Sequence, residues 1–351
     1  MTHELKTGGD RGYLRIATEE AFATHEQLDA IMRLVKEGLA DKGTMSLWGF
    51  YGTSPSERTT FIRERLLDLD DLRIAAMDES GIDSAVLALT SPGVQPLFGI
   101  EEAKRIARNS NDILKDACER HPGRYHGMIA VAPQDPHWSA EELWRGKEEL
   151  GFHGVQIDSH TQGHYLDEPQ FDPILRACAE LDLPLYIHPQ GPPDGMIGGM
   201  VEAGLDGAIY GFAVETGYHA LRLLTTGVFD RYPSLQLMLG HGCEGLPFML
   251  YRLDYMHKAG LRSERYGRLK PLEHDLFHYM RHNVLATCSG LPFAPAVKLM
   301  IEVMGEDRVM YAMDYPYQYV PDEVRWMDDL DITDAQKTKF FQTNAERWFK
   351  L

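Results

Sequence analysis

The sequence has no run of apolar residues long enough for a membrane helix, which needs roughly 18 consecutive residues. The first residues, MTHELKTGGDRG, have no hydrophobic segment after their charges, so we expect no signal peptide. Cysteine is scarce, and no CxxC pair is present. We therefore expect reduced core thiols in a cytoplasmic protein rather than disulfides or a cysteine metal site. The four cysteines are Cys118, Cys178, Cys243 and Cys288.

Positive charge is also in short supply. The chain has 35 Lys and Arg against 53 Asp and Glu, which gives a formal net charge of −18. This balance argues against nucleic acid or an anionic membrane as the partner. An anionic substrate would be repelled at long range, so a site for one needs a local arginine and a cation. Apolar residues make up 44% of the chain and charged residues 25%, which is typical of a globular protein with a large core.

Eight short apolar runs predict β-strands, and several are continuous rather than alternating (AVLAL, GMIAVA, LQLMLG), as expected for strands buried on both faces. The runs cover residues 14–18, 83–90, 125–133, 153–158, 183–189, 235–242, 283–289 and 308–315. Helical patterns lie between most of them, at residues 60–80, 99–121, 139–150, 171–181, 246–257 and 293–304. This alternation predicts an α/β fold, a (β/α)8 TIM barrel, with residues 1–351 in a single domain.

Two connections are too long to be simple crossovers, so we predict long insertions after strands 1 and 5. The first covers residues 20–82 and includes LWGFYGTSPSERTT, which we interpret as an aromatic, turn-rich loop. The second covers residues 190–231 and starts with GPPDGMIGGM. Insertions on the C-terminal side of barrel strands often form lids or substrate pockets. Residues 321–351 are predicted to form a closing helical tail.

Four of the predicted strands lead to a side chain that can bind a metal. These side chains are Glu19, His188, His241 and Asp314, at the ends of strands one, five, six and eight. Each alone has an ordinary structural explanation, such as a turn cap or a surface acidic pair. The C-terminal ends of parallel barrel strands open onto one face, so together they predict a mononuclear site. The mixed nitrogen and oxygen set suits Mn²⁺, Zn²⁺ or Fe²⁺. The other histidines, including His25, His121, His126 and His137, are interpreted as solvated.

These motifs resemble the amidohydrolase superfamily, and within it the decarboxylase branch typified by aminocarboxymuconate-semialdehyde and resorcylate decarboxylases. The resemblance spans nearly the whole chain and rests on TEEAF, TSPGVQ at residues 90–95, YIHP, GHGCEGLPF and MDYP. Many members have a His-x-His pair after strand one, whereas this chain has Glu19 and Ala21 there, a variant similar to that of hydroxybenzoate decarboxylases. No lysine that could bridge two metals follows strand four, whose run ends in Asp158. A binuclear hydrolase is therefore disfavoured.

The resemblance implies non-oxidative, metal-dependent decarboxylation of an ortho-hydroxylated aromatic carboxylate. The preferred substrate is 5-carboxyvanillate, converted to vanillate and CO₂ in the breakdown of lignin-derived aromatics, and a dihydroxybenzoate stays open as the substrate. It also implies one divalent metal per chain, with Mn²⁺ favoured over Zn²⁺. Two other classes remain open, a metal-dependent hydrolase of the same superfamily and a non-catalytic barrel.

The chemistry of this reaction suggests roles for Asp314, His241 and Glu244, and the resemblance places substrate-contacting arginines at two matching positions. Asp314 would receive the proton of the substrate's phenol and pass it to the ring carbon that bears the carboxylate, because a free aspartic acid is ionised at neutral pH and needs a proton source. His241 would steady Asp314, and Glu244 would orient His241. Arg58 and Arg252 are the expected anchors of the anionic substrate.

The pocket walls and the assembly are further expectations. Four apolar or aromatic residues are expected to form the walls around the aromatic ring: Leu47, Trp48, Phe212 and Tyr317. Ordinary core packing is the alternative explanation for each of them. The aromatic cluster formed by Leu47, Trp48, Phe50 and Tyr51 is more apolar surface than a monomer normally exposes, so we expect a homodimer or higher homo-oligomer with this cluster near the interface.

Overall fold

Eight parallel strands form the centre of the protein in a computed structural model that describes residues 11–351. The predicted absence of a signal peptide concerns residues that lie mostly outside this range. The strands pair in chain order, each with the next. They are β1 (Ile16–Phe22), β2 (Ser84–Leu89), β3 (Tyr125–Ala130), β4 (Gly154–Ile157), β5 (Leu185–Ile187), β6 (Leu237–Leu239), β7 (Val284–Thr287) and β8 (Val309–Met310). The strands alternate with helices, so the predicted (β/α)8 TIM barrel is confirmed.

Backbone hydrogen bonds link β1 to the segment that contains and follows β8. The amide of Thr18 donates to the carbonyl of Tyr311 at 3.0 Å, and the amide of Ala21 donates to the carbonyl of Tyr315 at 2.8 Å. These bonds bring the first and last strands together and nearly close the sheet into a barrel. Because the strands are covered on both faces, their side chains are almost all buried, which explains the continuous apolar runs.

Sixteen α-helices surround the barrel in the described part of the chain. They are α1 (His25–Glu37), α2 (Lys42–Tyr51), α3 (Glu57–Leu67), α4 (Asp71–Ser80), α5 (Ile100–Arg120), α6 (Pro136–Glu148), α7 (Asp172–Glu180), α8 (Asp194–Ala203), α9 (Gly211–Thr225), α10 (Val228–Arg231), α11 (Leu246–Arg262), α12 (Leu276–His282), α13 (Ala294–Met304), α14 (Glu323–Asp328), α15 (Asp334–Thr338) and α16 (Asn344–Phe349). No helix within residues 11–351 has the length and apolar character needed to cross a membrane.

The connection between β1 and β2 consists of four helices, so the prediction of an aromatic loop is wrong. Short polar side chains start two of these helices where the sequence resembled a turn. The side chain of Asp41 accepts a hydrogen bond from the Thr44 amide and caps α2, and Ser56 caps α3 through the Thr59 amide. The predicted helix 60–80 is also two helices. The carboxylate of Asp68 accepts from the Leu72 amide at 2.9 Å and interrupts the helical run between α3 and α4.

The connection between β5 and β6 contains α8, α9 and α10 and packs against α2 of the first connection. The amide of Lys42 donates to the carboxylate of Asp194 at 2.9 Å. Gly43 and Gly191 meet here so closely that a Cβ atom on Gly43 would lie 2.8 Å from the backbone of Gly191. Glycine is needed at both positions because no side chain fits between the two segments. The two long connections therefore cover the C-terminal face of the barrel together.

The predicted helical tail is confirmed, and it closes the opposite end of the barrel. Inside the barrel, β-strand side chains such as Ile16, Val86 and Met310 form a cluster with Phe349 of α16. Phe349 is 1% exposed, and its ring would be 2.9 Å from a Cβ atom placed on Gly154. Packed side chains of the described residues fill this end, which leaves the C-terminal end of the barrel for a ligand.

Candidate metal centre and substrate pocket

The four predicted ligands come together at the C-terminal face of the barrel. Nε2 of His241 lies 3.6 Å from Oε1 of Glu19 and 3.8 Å from Oδ2 of Asp314. Nε2 of His188 lies 3.8 Å from the same Glu19 oxygen. One ligand atom from each of Glu19, His241 and Asp314 lies within 4.8 Å of the other two. Glu19, His241 and Asp314 thus form one close group, and His188 approaches it at the Glu19 carboxylate.

The donor set fits a divalent cation. Oε1 of Glu19 is buried and has no hydrogen-bond partner in the part of the chain that the structure describes, although it faces two imidazole nitrogens. An unpartnered carboxylate oxygen in the interior costs free energy, which a bound cation would offset. Two carboxylates and two imidazoles form the mixed oxygen and nitrogen set that Mn²⁺ and Zn²⁺ accept.

Glu19 reaches this point from inside β1, and the prediction that it follows the end of the first strand is wrong. The strand continues to Phe22, and its pairing with β2 shifts register between Ala17 and Glu20. Glu20 lies next to Glu19 but has a different role, since its carboxylate accepts hydrogen bonds from the amides of Met313 at 2.9 Å and Tyr315 at 3.0 Å. Burial raises the pKa of Glu20 to about 8 despite these bonds. Glu20 thus ties β1 to the segment that carries Asp314.

Three residues next to Glu19 and His188 determine where these side chains lie. The hydroxyl of Thr287 donates to Oε2 of Glu19 at 2.8 Å. A Cβ atom on Gly240 would lie 2.6 Å from the same oxygen, so only glycine leaves room for the carboxylate. Oδ1 of Asp158 lies 3.3 Å from Nδ1 of His188. Thr287 is not among the residues predicted from the sequence, where its only signal is a hydroxyl residue at the end of β7.

His241 and Asp314 have unusual backbone conformations. The φ angle is 49° at His241 and 73° at Asp314, in the left-handed region that side chains other than glycine rarely adopt. Such positions cost roughly 1–3 kcal/mol each and are found mainly at functional sites. Oε1 of Glu244 lies 3.2 Å from Nδ1 of His241, so the predicted contact between these two residues is present. This contact leaves Nε2 of His241 directed at Glu19 and Asp314.

The surplus of carboxylates shapes the electrostatics of the centre. Burial favours neutral imidazole, but the facing carboxylates of Glu19, Asp314 and Glu244 outweigh it and raise the pKa of His241 well above its usual value. Burial also raises the pKa of Glu19, opposed by His241 and His188. The carboxylates of this centre therefore favour positive charge beside them, which is the property that a cation site requires.

A cavity of about 150 Å³ opens beside the candidate ligands. Leu47, Phe212 and Tyr317 line it, as does Arg58, whose Nη2 donates to the carbonyl of Tyr317 at 3.0 Å. The complete lining is Leu47, Tyr51, Arg58, Ser91, His188, Ala208, Phe212, His241, Asp314, Tyr317 and Gln318. Apolar walls and a few polar groups beside a metal centre can accept a flat, charged ring.

Two of the predicted substrate residues lie elsewhere. Trp48 is 1% exposed, and its indole nitrogen donates to the carbonyl of Ser91 at 2.9 Å, so it supports the pocket from behind. Arg252 is exposed on α11 and is not among the residues that line the cavity. The long side chain of Arg252 thus faces solvent in the isolated chain.

The interpretation of the remaining histidines as solvated is partly wrong. His25 and His137 are exposed, but His160 and His219 are buried. Nε2 of His219 accepts a hydrogen bond from the Leu166 amide at 3.1 Å, and burial lowers the pKa of His219 well below its usual value. These two histidines are structural parts of the core around β4 and α9.

Comparisons with known proteins agree with this geometry. Residues 61–351 match the family described as Amidohydrolase. A 5-carboxyvanillate decarboxylase from Novosphingobium aromaticivorans, solved with manganese and 4-hydroxy-3-methoxy-5-nitrobenzoic acid, is 64% identical, with a TM-score of 0.97 over 100% of both chains. A 5-carboxyvanillate decarboxylase from Sphingomonas paucimobilis is 36% identical, with a TM-score of 0.91 over 96% of this chain and 99% of that one.

A curated relative extends the comparison to a second substrate class. The gamma-resorcylate decarboxylase of Polaromonas is 33% identical over 344 residues, which are 96% of this chain and 98% of the relative. The family match covers more than half of the chain, and these relatives match nearly all of it. The chain belongs to the amidohydrolase family, in the branch that contains these decarboxylases.

Proposed function

We propose that this protein is a carboxy-lyase that removes CO₂ from 5-carboxyvanillate, an ortho-hydroxylated aromatic acid, with the help of one divalent metal per chain. The observation that carries the proposal is the unpartnered Oε1 of Glu19, which faces His188 and His241 beside a cavity lined by Asp314. The Novosphingobium relative binds an acid in which a nitro group stands in place of the carboxylate that 5-carboxyvanillate would lose. This likeness favours 5-carboxyvanillate over a dihydroxybenzoate.

The chemistry requires a proton on the ring before CO₂ departs. Direct loss of CO₂ leaves an aryl anion whose charge the ring cannot delocalise, whereas protonation of the carbon that bears the carboxylate avoids that anion. Asp314 is the proposed proton carrier. Its carboxylate would take the proton of the substrate's phenol and release it to that carbon. The C–CO₂ bond then breaks, and its electrons restore the aromatic ring. A divalent metal in this centre supplies charge stabilisation for the substrate oxygens, with Mn²⁺ preferred and Zn²⁺ second.

Substrate binding needs positive charge in a chain of net charge −18. Arg58 lies on the cavity lining, held by its bond to the Tyr317 carbonyl. We propose that its guanidinium pairs with the carboxylate that the product retains. The ring would lie between Leu47 and Phe212, whose apolar side chains line the cavity. Selectivity for a flat aromatic acid follows from this combination.

A homo-oligomer, most simply a homodimer, is part of the same proposal. The predicted interface at the aromatic cluster needs revision, because Trp48 is buried and only Phe50 of that cluster is exposed, at 51%. The larger apolar surface lies on α11, where Phe248 is 82% exposed and Tyr251 is 76% exposed. Arg252 is on the same helix, so it would contact substrate only in a site completed by a second copy. The four free cysteines support the cytoplasmic location we propose.

The deciding experiment combines metal analysis with product analysis. Purified protein loaded with Mn²⁺ is expected to bind close to one metal per chain and to convert 5-carboxyvanillate to vanillate and CO₂. The variant His188→Ala removes one proposed ligand and is expected to lose metal and activity together. Two metals per chain, full metal retention in the variant, or cleavage of a C–O or C–N bond without CO₂ release would contradict the proposal.

A further inference from the structure

Ser91 lines the substrate cavity, and its hydroxyl is buried without a hydrogen-bond partner among the described residues. The residue follows β2, is 3% exposed, and lines the cavity together with His188 and Asp314. Within residues 11–351 its Oγ makes no hydrogen bond. A polar atom that is buried without a partner costs free energy, and in a ligand cavity the natural partner is the ligand.

Hydrogen bonds on both sides of Ser91 fix its backbone and so hold the residue on the wall of the cavity. The amide of Thr90 donates to the carbonyl of Phe22 at 2.7 Å, and the carbonyl of Thr90 accepts from Nε2 of Gln27 at 2.8 Å. The carbonyl of Ser91 accepts from the indole of Trp48 at 2.9 Å. The loop therefore fixes the position of Ser91 on the cavity wall.

The neighbouring hydroxyl shows the contrast. Oγ1 of Thr90 lies 2.6 Å from the hydroxyl of Tyr317, so these two groups satisfy each other. The carbonyl of Tyr317 is likewise taken by Arg58. The hydroxyl of Ser91 is therefore a hydrogen-bond donor at the cavity wall that no neighbouring group uses.

We propose that the hydroxyl of Ser91 donates a hydrogen bond to an oxygen on a ring substituent of the bound aromatic acid and thereby selects the substrate. This inference rests on the proposed function. In the proposed reaction the phenol and the departing carboxylate would face the residues that would hold the metal, which leaves the methoxy oxygen and the retained carboxylate. Both groups only accept hydrogen bonds, so a hydroxyl donor complements either of them.

The first test measures binding and needs no turnover. The probe is 4-hydroxy-3-methoxy-5-nitrobenzoic acid, titrated by calorimetry into Mn²⁺-loaded protein. We expect Ser91→Ala to weaken binding about 10-fold, as the loss of one hydrogen bond to a buried group would. Ser91→Thr keeps the hydroxyl and should restore most of the affinity. Metal content should be the same in all forms.

The matched control is Ser80→Ala. Ser80 is 2% exposed and its hydroxyl is also unpartnered, but it lies at the end of α4 and not in the substrate cavity. Its removal should leave the Kd of the analogue unchanged. An equal loss in Ser80→Ala and Ser91→Ala would show a general effect on the fold and would overturn the inference.

The second test identifies the substrate oxygen. The value of kcat/KM is measured for 5-carboxyvanillate, for its analogue without the methoxy group, and for its analogue without the retained carboxylate. Ser91→Ala should lower kcat/KM about 10-fold only for substrates that carry the partner oxygen. An equal loss on all three substrates would overturn the inference.

The binding test also separates this inference from the proposed function. If Ser91→Ala binds the nitro analogue as tightly as the wild type, this inference fails alone. If the wild type does not bind it, the proposed function fails as well.

Discussion

The hydroxyl of Thr287 donates a hydrogen bond of 2.8 Å to Oε2 of Glu19, while Oε1 of the same carboxylate has no hydrogen-bond partner and faces His188 and His241. One oxygen is therefore held by the protein and the other is available to a cation. Outer contacts of this kind orient metal ligands and commonly matter almost as much as the ligands themselves.

Replacement of Thr287 should weaken metal binding. Thr287→Val keeps the shape of the side chain but removes the donor, so Glu19 loses its orientation and the Kd for Mn²⁺ should rise about 10- to 100-fold. Thr287→Ser retains the hydroxyl and should bind Mn²⁺ nearly as well as the wild type. Competition with a chelator measures both values. Equal affinity in the valine and serine variants would show that this hydrogen bond has no role in metal binding.

Replacement of Asp314 should separate binding from chemistry. Asp314→Asn keeps the size of the side chain, but an amide cannot accept the phenol proton and return it to carbon. At saturating substrate and with metal content matched to the wild type, turnover should fall by roughly two to four powers of ten. In D₂O the wild-type product should carry deuterium only at the carbon that lost CO₂. Turnover by metal-loaded Asp314→Asn near the wild-type rate would mean that another group supplies the proton.

The exposed face of α11 should form the contact between copies. Light scattering at micromolar concentration should show the wild type as a dimer or larger assembly, because Phe248 and Tyr251 expose a contiguous apolar surface. Phe248→Glu should shift the protein towards the monomer by placing a charge on that surface. Trp144→Glu is the control, since Trp144 is 46% exposed on a different helix. A monomeric wild type would contradict this prediction.

Glu215 should make the stability depend on pH. Burial raises the pKa of Glu215 to about 8, although the hydroxyl of Ser159 donates to its Oε1 at 2.9 Å. Unfolding returns the pKa to about 4.5, so between these values the folded state keeps a proton that the unfolded state releases. The free energy of unfolding should therefore fall as pH rises through this window, by at most about 1.4 kcal/mol per pH unit.

Glu215→Gln tests this dependence, because glutamine has no proton to lose. Between about pH 5 and about pH 8, the melting temperature of the variant should increase relative to that of the wild type as pH rises. Glu202→Gln, at an exposed position on α8, should follow the wild type throughout. Melting temperatures of Glu215→Gln and wild type that stay parallel across the range would exclude Glu215 as the cause.

The sequence by itself determined the barrel and the cluster of candidate metal ligands. Both signals are local: a strand buried on two faces needs an apolar run, and a ligand on the C-terminal face follows such a run closely. His188 and Asp314 could be recognised this way without knowing what lies beside them. The continuous run that holds the buried strand β5 also brings His188 to the face where the other ligands meet.

Tertiary structure alone decided which of the remaining residues have a role at the site. The pairing of β1 with β2 places Glu19 inside the strand, and the caps at Asp41 and Ser56 turn a predicted loop into two helices. Thr287 and Ser91 carry ordinary hydroxyls. That of Thr287 donates to the carboxylate of Glu19, whereas Ser91 lines the substrate cavity and its buried hydroxyl meets no partner among the described residues. Those distances depend on segments up to 268 positions apart in the chain, so the order of residues cannot show them before the barrel closes.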